Sequence, residues 1–141
     1  MLYGINQKSD GLLAEIKKDG CLFLCLAESS PLIFSGKEGI MALNYIWEKA
    51  VKKNIISKEN ELLSHNDLLD LFCINAKYDD KHHLYSEKPS DKVKIVLGQF
   101  FWKSGHFVVL NKNKEVIFDP LVISNSVKNG ELKTMRWYYA D

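Results

Sequence analysis

The stretch Gly105-His106-Phe107-Val108-Val109-Leu110-Asn111-Lys112-Asn113-Lys114-Glu115-Val116-Ile117-Phe118-Asp119-Pro120 decides how this chain is expected to fold. Two runs rich in β-branched and aromatic residues flank a polar Asn-Lys-Asn-Lys connector, the pattern of a β-hairpin. With the turn centred between Lys112 and Asn113, Leu110 faces Glu115, and counting outward sets His106 opposite Asp119. Directly opposed residues carry Cβ atoms roughly 4.5–5.5 Å apart on one face of the ladder. The hairpin therefore brings an imidazole to a carboxylate, whereas a slip of one residue would send one of them to the other face. A carboxylate beside a ring nitrogen fixes the tautomer, orients the ring and stabilises the imidazolium, which is what a catalytic base needs. The same pairing also suits an exposed cross-strand ion pair, which contributes little.

Strands are expected on both sides of this hairpin. Val93 to Phe100 precedes it, and Leu132 to Tyr139 follows the Asn129-Gly130 turn signal. Ile74 to Lys92 is polar and carries Pro89, so a long surface loop is expected there. Upstream the period changes to that of helices. Leu12, Leu13 and Ile16 sit at helical spacing before Asp19-Gly20 breaks the pattern. Cys21 to Ala27 is apolar on every side, and its Leu and Ala content with no β-branched residue favours a buried helix. From Lys37 to Lys53, Ile40, Leu43, Trp47, Ala50 and Val51 line one face; Ser64 caps a third helix running through Phe72. Helices first and antiparallel strands after is an α+β layout.

The 141 residues fit a single domain, 1–141, and 46% hydrophobic content is enough to close a core. Nineteen basic residues against eighteen acidic ones leave a net charge of +1, and Arg136 is the only arginine. A nucleic-acid partner is therefore not expected. No apolar run reaches the length of a membrane span, and the first residues carry no signal-peptide pattern, so no membrane partner is expected either. Three cysteines, an odd number, suggest free thiols in a reducing, cytoplasmic setting.

Among those thiols Cys21 is the candidate nucleophile, because it follows the Asp19-Gly20 break and opens the apolar helix. Backbone N–H groups at a helix start favour a thiolate, and a neighbouring imidazolium favours it further. Glycine just before it lets a substrate backbone approach closely. Burial as a small core residue is the other fate open to Cys21, and it is the one expected for Cys25 and Cys73.

Asp-Gly-Cys at the head of an apolar helix, a distant Gly-His-Phe-Val-Val-Leu strand and then Val-Ile-Phe-Asp-Pro together resemble the papain-like cysteine peptidases. The nearest branch is the bacterial one that trims double-glycine leaders in bacteriocin exporters. The chain also resembles small plasmid- or prophage-borne proteins of spirochaetes. The first resemblance implies a papain-like fold and a thiol-dependent peptidase or amidase acting on a peptide or protein. It makes Cys21 the nucleophile, His106 the base and Asp119 its orienter. Transglutaminase-like folds share that order, so acyl transfer fits as well as hydrolysis. The family also places a Gln a few residues before the Cys to help hold the oxyanion. Here Glu15 to Gly20 contain no Gln or Asn, and Gln7 would have to fold back. A domain of this fold kept for binding peptides or proteins, with little or no turnover, is the alternative.

The remaining motifs have plainer readings. Asp79-Asp80-Lys81-His82-His83 lacks a further His/Cys pair at zinc spacing and reads as a solvated loop, so no metal and no cofactor is expected. Phe100-Phe101-Trp102 and Trp137-Tyr138-Tyr139 read as aromatics packing within strands, and Lys17-Lys18 and Lys52-Lys53 as solvated charges.

Overall fold

The computed structural model describes residues 1–141. The chain runs β1 (Leu2–Tyr3), α1 (Ala14–Asp19), α2 (Cys21–Ser29), β2 (Phe34–Ser35), α3 (Gly36–Lys52), α4 (His65–Leu71), β3 (Ala76–Leu84), β4 (Val93–Phe101), β5 (Gly105–Leu110), β6 (Val116–Phe118), α5 (Asn125–Asn129) and β7 (Glu131–Ala140). Five strands form one antiparallel sheet in the order β3-β7-β4-β5-β6. β1 and β2 make a separate parallel pair that the sequence pattern did not announce. The α+β layout is as the periodicity implied.

The helices form for the expected reasons. Leu43, Trp47 and Ala50 bury one stripe of α3, with Glu38 in its first turn and Lys49 and Lys52 in its last, where the helix dipole favours each sign. Phe23 to Ala27 are buried without interruption, so α2 is apolar all round and lies inside the molecule. Ser64 caps α4, its hydroxyl oxygen accepting from the Asp67 N–H at 3.3 Å. Alternation along the strands then divides the sheet into two faces. Ile95, Leu97, Val109 and Tyr138 join the helices in the main core of 24 buried residues. Val93, Val96, Val108, Leu110, Met135 and Trp137 build a smaller cluster, against which Val127 of α5 packs.

Four expectations are corrected. Residues 76–84 form β3, an edge strand, and not a loop. Its charged residues lie on an exposed sheet edge, where they discourage pairing with another chain, so apolar alternation never develops. A bulge between Tyr78 and His82, with Asp80 at φ 60°, interrupts the register further. The supposed solvated His-His loop is likewise ordered. His83 bonds through Nε2 to Asp79 Oδ2 at 2.6 Å and through Nδ1 to Glu87 Oε1 at 3.2 Å, and its ring stacks on Trp137. Cys73 is exposed at φ 56° just beyond α4, and not a core residue, because the chain turns out of the helix there.

The fourth correction concerns the hairpin. Val109 pairs with Phe118 and Leu110 with Val116, with a bulge between the two pairs. The connector spans Asn111 to Glu115 because the Asn111 side-chain oxygen accepts from the N–H groups of Asn113 and Glu115, while Lys114 takes φ 66°. Leu110 thus does not face Glu115, and β6 ends at Phe118, before Asp119. Continued by one residue, the Val109–Phe118 register sets Asp119 beside Val108, two residues along β5 from His106. The displacement is by an even number of positions, so the carboxylate stays on the imidazole's face.

Candidate active site

Cys21 is the first residue of α2 and is half-buried. The break before it has a reason other than the one its sequence suggested. A Cβ on Gly20 would lie 2.8 Å from the Ile16 Cα and closer still to the Ile16 carbonyl oxygen. Glycine is needed there for α1 to end against the start of α2, which sets where the thiol emerges. Cys25, one turn on, is fully buried and donates its S–H to the Phe107 carbonyl at 3.4 Å, tying α2 to β5. Burial pushes the Cys25 thiol well above its ordinary pKa, so it is inert.

His106 is the second residue of β5 and Asp119 follows β6; both are more than nine-tenths buried. His106 Nε2 bonds to Asp119 Oδ1 at 2.7 Å. The carboxylate is itself held in place, with Oδ1 accepting from the Leu121 N–H at 2.9 Å and Oδ2 from the Ser124 N–H at 2.8 Å. Ser124 in turn caps α5, its hydroxyl oxygen accepting from the Val127 N–H. Burial alone would raise the Asp119 pKa, but the bonds from His106, Leu121 and Ser124 outweigh it and hold the carboxyl at about 2. Burial likewise disfavours a charged His106, yet Asp119 and the nearby Cys21 thiol prevail and lift the imidazole to about 9. The pair is therefore an imidazolium and a carboxylate at neutral pH.

All three sequence-chosen residues meet in one place. Cys21 and His106 line a cavity of about 430 Å³, with Asp119 bonded behind the imidazole. Engaging Nε2 with Asp119 leaves Nδ1 without a hydrogen bond, the nitrogen available to a thiol. The Cys21 thiol is near enough to the ring to favour the protonated imidazole. Catalytic contacts of this kind often close only around substrate.

Gln7 is the residue that sequence spacing did not place. It lines the same cavity, and its backbone N–H donates to the Pro120 carbonyl at 2.7 Å, anchoring the N-terminal segment beside Asp119-Pro120. Its Nε2 donates to the Lys17 carbonyl at 3.1 Å, and its Oε1 is buried with no partner. One amide hydrogen thus remains for another acceptor. Gln7 stands fourteen positions ahead of Cys21, so local spacing carried no signal; only the fold-back between β1 and α1 brings it in.

Residues 1–140 match the family described as "Protein of unknown function, DUF261". The chain belongs to the DUF261 family. No curated protein and no solved structure matches it. No helix of this DUF261 chain is long and apolar enough to cross a membrane.

Proposed function

We propose that this DUF261 protein is a thiol-dependent peptidase or amidase of papain-like architecture, with Cys21 as nucleophile, His106 as general base and acid, and Asp119 as the group that orients His106. The observation that carries the reading is the buried 2.7 Å His106–Asp119 bond at the wall of the cavity that also exposes Cys21. A merely structural ion pair needs no thiol at a helix start beside it. The Cys21 sulfur, its proton already held by the His106 imidazolium, attacks an amide carbonyl as the thiolate; His106 then gives the Nδ1 proton to the departing nitrogen. Water releases the acyl group from sulfur, or an amine takes it in transfer. The developing oxyanion has two donors to hand, the backbone N–H at the start of α2 and the unused Gln7 amide hydrogen. Gln7 is the side chain that this reading assigns to the role for which residues 15–20 offer no candidate, and its place in the cavity favours turnover over binding alone.

Acylation by p-nitrophenyl acetate tests the proposal. A burst of nitrophenolate stoichiometric with protein is expected, with the acetyl group found on Cys21 by mass spectrometry and lost in Cys21→Ser and His106→Ala. Acetylation distributed over lysines and all three cysteines, unchanged in His106→Ala, would refute it.

A further inference from the structure

Cys21 sits where two recesses of opposite character meet. One is the 430 Å³ cavity already described, whose lining includes Lys17, Lys18 and Lys103 and no Asp or Glu. The other, about 160 Å³, is walled by Leu22, Trp47, Leu62, Leu68 and Phe107, and its polar members are Asp19 and Asn60. None of the three lysines takes part in any of the chain's ion pairs. Lys17 and Lys18 come from the last turn of α1, where the helix dipole by itself welcomes cations. Lys103 comes from a separate element, the β4–β5 connection, with its Nζ 4.6 Å above the Trp102 ring. Two elements therefore deliver unneutralised positive charge to one cavity, while the single carboxylate near the thiol on the other side, Asp19, accepts from Asn60 Nδ2 at 2.9 Å.

His106 assigns direction to this asymmetry. It lines the basic cavity and not the apolar recess. A general acid must face the nitrogen it protonates. The leaving half of a substrate thus lies on the lysine side and the acyl half on the apolar side. We propose that the site selects amides with an apolar acyl half and a carboxylate on the leaving half. That inference rests on the thiol-hydrolase reading above. In the step, the C–N bond breaks as the S–C bond forms, and the nitrogen takes the thiol proton from His106. The carboxylate-bearing amine departs among the lysines; water then gives its hydroxyl to the acyl carbon and its proton back to sulfur. The carboxylate is either the C-terminus of a short peptide or an acidic side chain just beyond the scissile bond.

Charged thiol reagents test the field without needing the natural substrate. In a Cys73→Ser background, Cys21 is modified by 2-sulfonatoethyl, 2-(trimethylammonio)ethyl and neutral methyl methanethiosulfonate. Each rate is divided by that of the neutral reagent and by the same ratio for free 2-mercaptoethanol. Three lysines lining the cavity that holds the thiol should favour the anionic reagent over the cationic one by about tenfold or more. Replacing Lys17, Lys18 and Lys103 together by Gln should collapse most of that preference, leaving the share owed to the imidazolium. Fast, His106-dependent modification with a preference the lysine variant does not change overturns the inference alone. Slow modification indifferent to His106→Ala overturns both the inference and the activity beneath it. Protection of Cys21 by millimolar acetyl-Leu-Gly-Ala, acetyl-Leu-Gly-Asp-amide and the neutral acetyl-Leu-Gly-Ala-amide separates the two carboxylate sources. Protection by the first alone assigns a chain terminus, and by the second alone an acidic side chain. Equal protection by the neutral peptide, or protection by none, overturns the proposal.

Discussion

Replacing Asp119 by Asn keeps the size of the side chain that braces His106 and removes its charge. In the wild type the imidazole stands at about 9 against an ordinary 6.5, because the bond to Asp119 and the nearby Cys21 thiol outweigh burial. With a neutral amide in place of the carboxylate, burial still presses the pKa down and most of the opposing support is gone. His106 should then titrate at or below about 7, a fall of about two units or more. Each unit is worth about 1.4 kcal/mol; allowing for screening by solvent at the open cavity, the imidazolium loses about 2 kcal/mol of support. At pH 7 the imidazolium fraction of His106 falls from nearly all to about half or less, and Cys21 alkylation slows about twofold or more with it. The ε1 carbon resonance of His106, followed against pH with carbon-13-labelled histidine in both proteins, reads the shift directly. A wild-type titration near 6.5 that Asp119→Asn leaves in place would refute the reasoning.

Other predictions follow from the same contacts. The His106 pKa is raised on folding, so its stabilisation is complete below about 6.5 and lost as pH climbs through about 9; the Asp119 pKa is depressed, so its share is present above 3.8 and lost as pH falls through about 2. Wild-type Tm should therefore be highest between roughly pH 4 and 6.5 relative to Asp119→Asn, and a constant difference from pH 3 to 9 would contradict this. Gly20→Ala should cost about 1–3 kcal/mol in urea unfolding, because its Cβ meets the Ile16 backbone; an unchanged midpoint would show that α1 and α2 can part freely. Gln7→Ala should lower the acylation rate by about 10²–10³ while leaving the pH profile of Cys21 alkylation in shape, since an oxyanion donor does not set the thiol's protonation. Equal slowing of acylation and of alkylation would make Gln7 a packing residue instead.

What was legible in the sequence was what local periodicity and parity carry. The stripe on α3, the Ser64 cap and the buried run after Cys21 each depend on residues a few positions apart, and each is found. The His106–Asp119 contact was reached through an incorrect register. It stands because the Asn111 turn and the bulge displaced the ladder by an even number of residues, which preserves the face. β3 was hidden because an edge strand fulfils its role with charge, as Lys77, Asp79 and Lys81 do, and so resembles a loop. Gln7 and the convergence of Lys17 and Lys18 with Lys103 are tertiary facts. They arise from a fold-back and from a helix end meeting a strand connection, and no spacing along the chain encodes them. Gly20 was noticed for the right reason of size but the wrong neighbour, a helix carbonyl in place of a substrate.

The proposed activity requires that His106, held by Asp119, activate the Cys21 thiol. Iodoacetamide labelling followed cysteine by cysteine with mass spectrometry tests it most directly, because exposure and activation here point to different residues. Exposure alone ranks Cys73 first, half-buried Cys21 second and buried Cys25 last. With activation by His106, Cys21 reacts fastest at pH 6–7, ahead of Cys73, and falls behind it in His106→Ala. Labelling that simply follows exposure, with Cys73 ahead of Cys21 in both proteins, would contradict it.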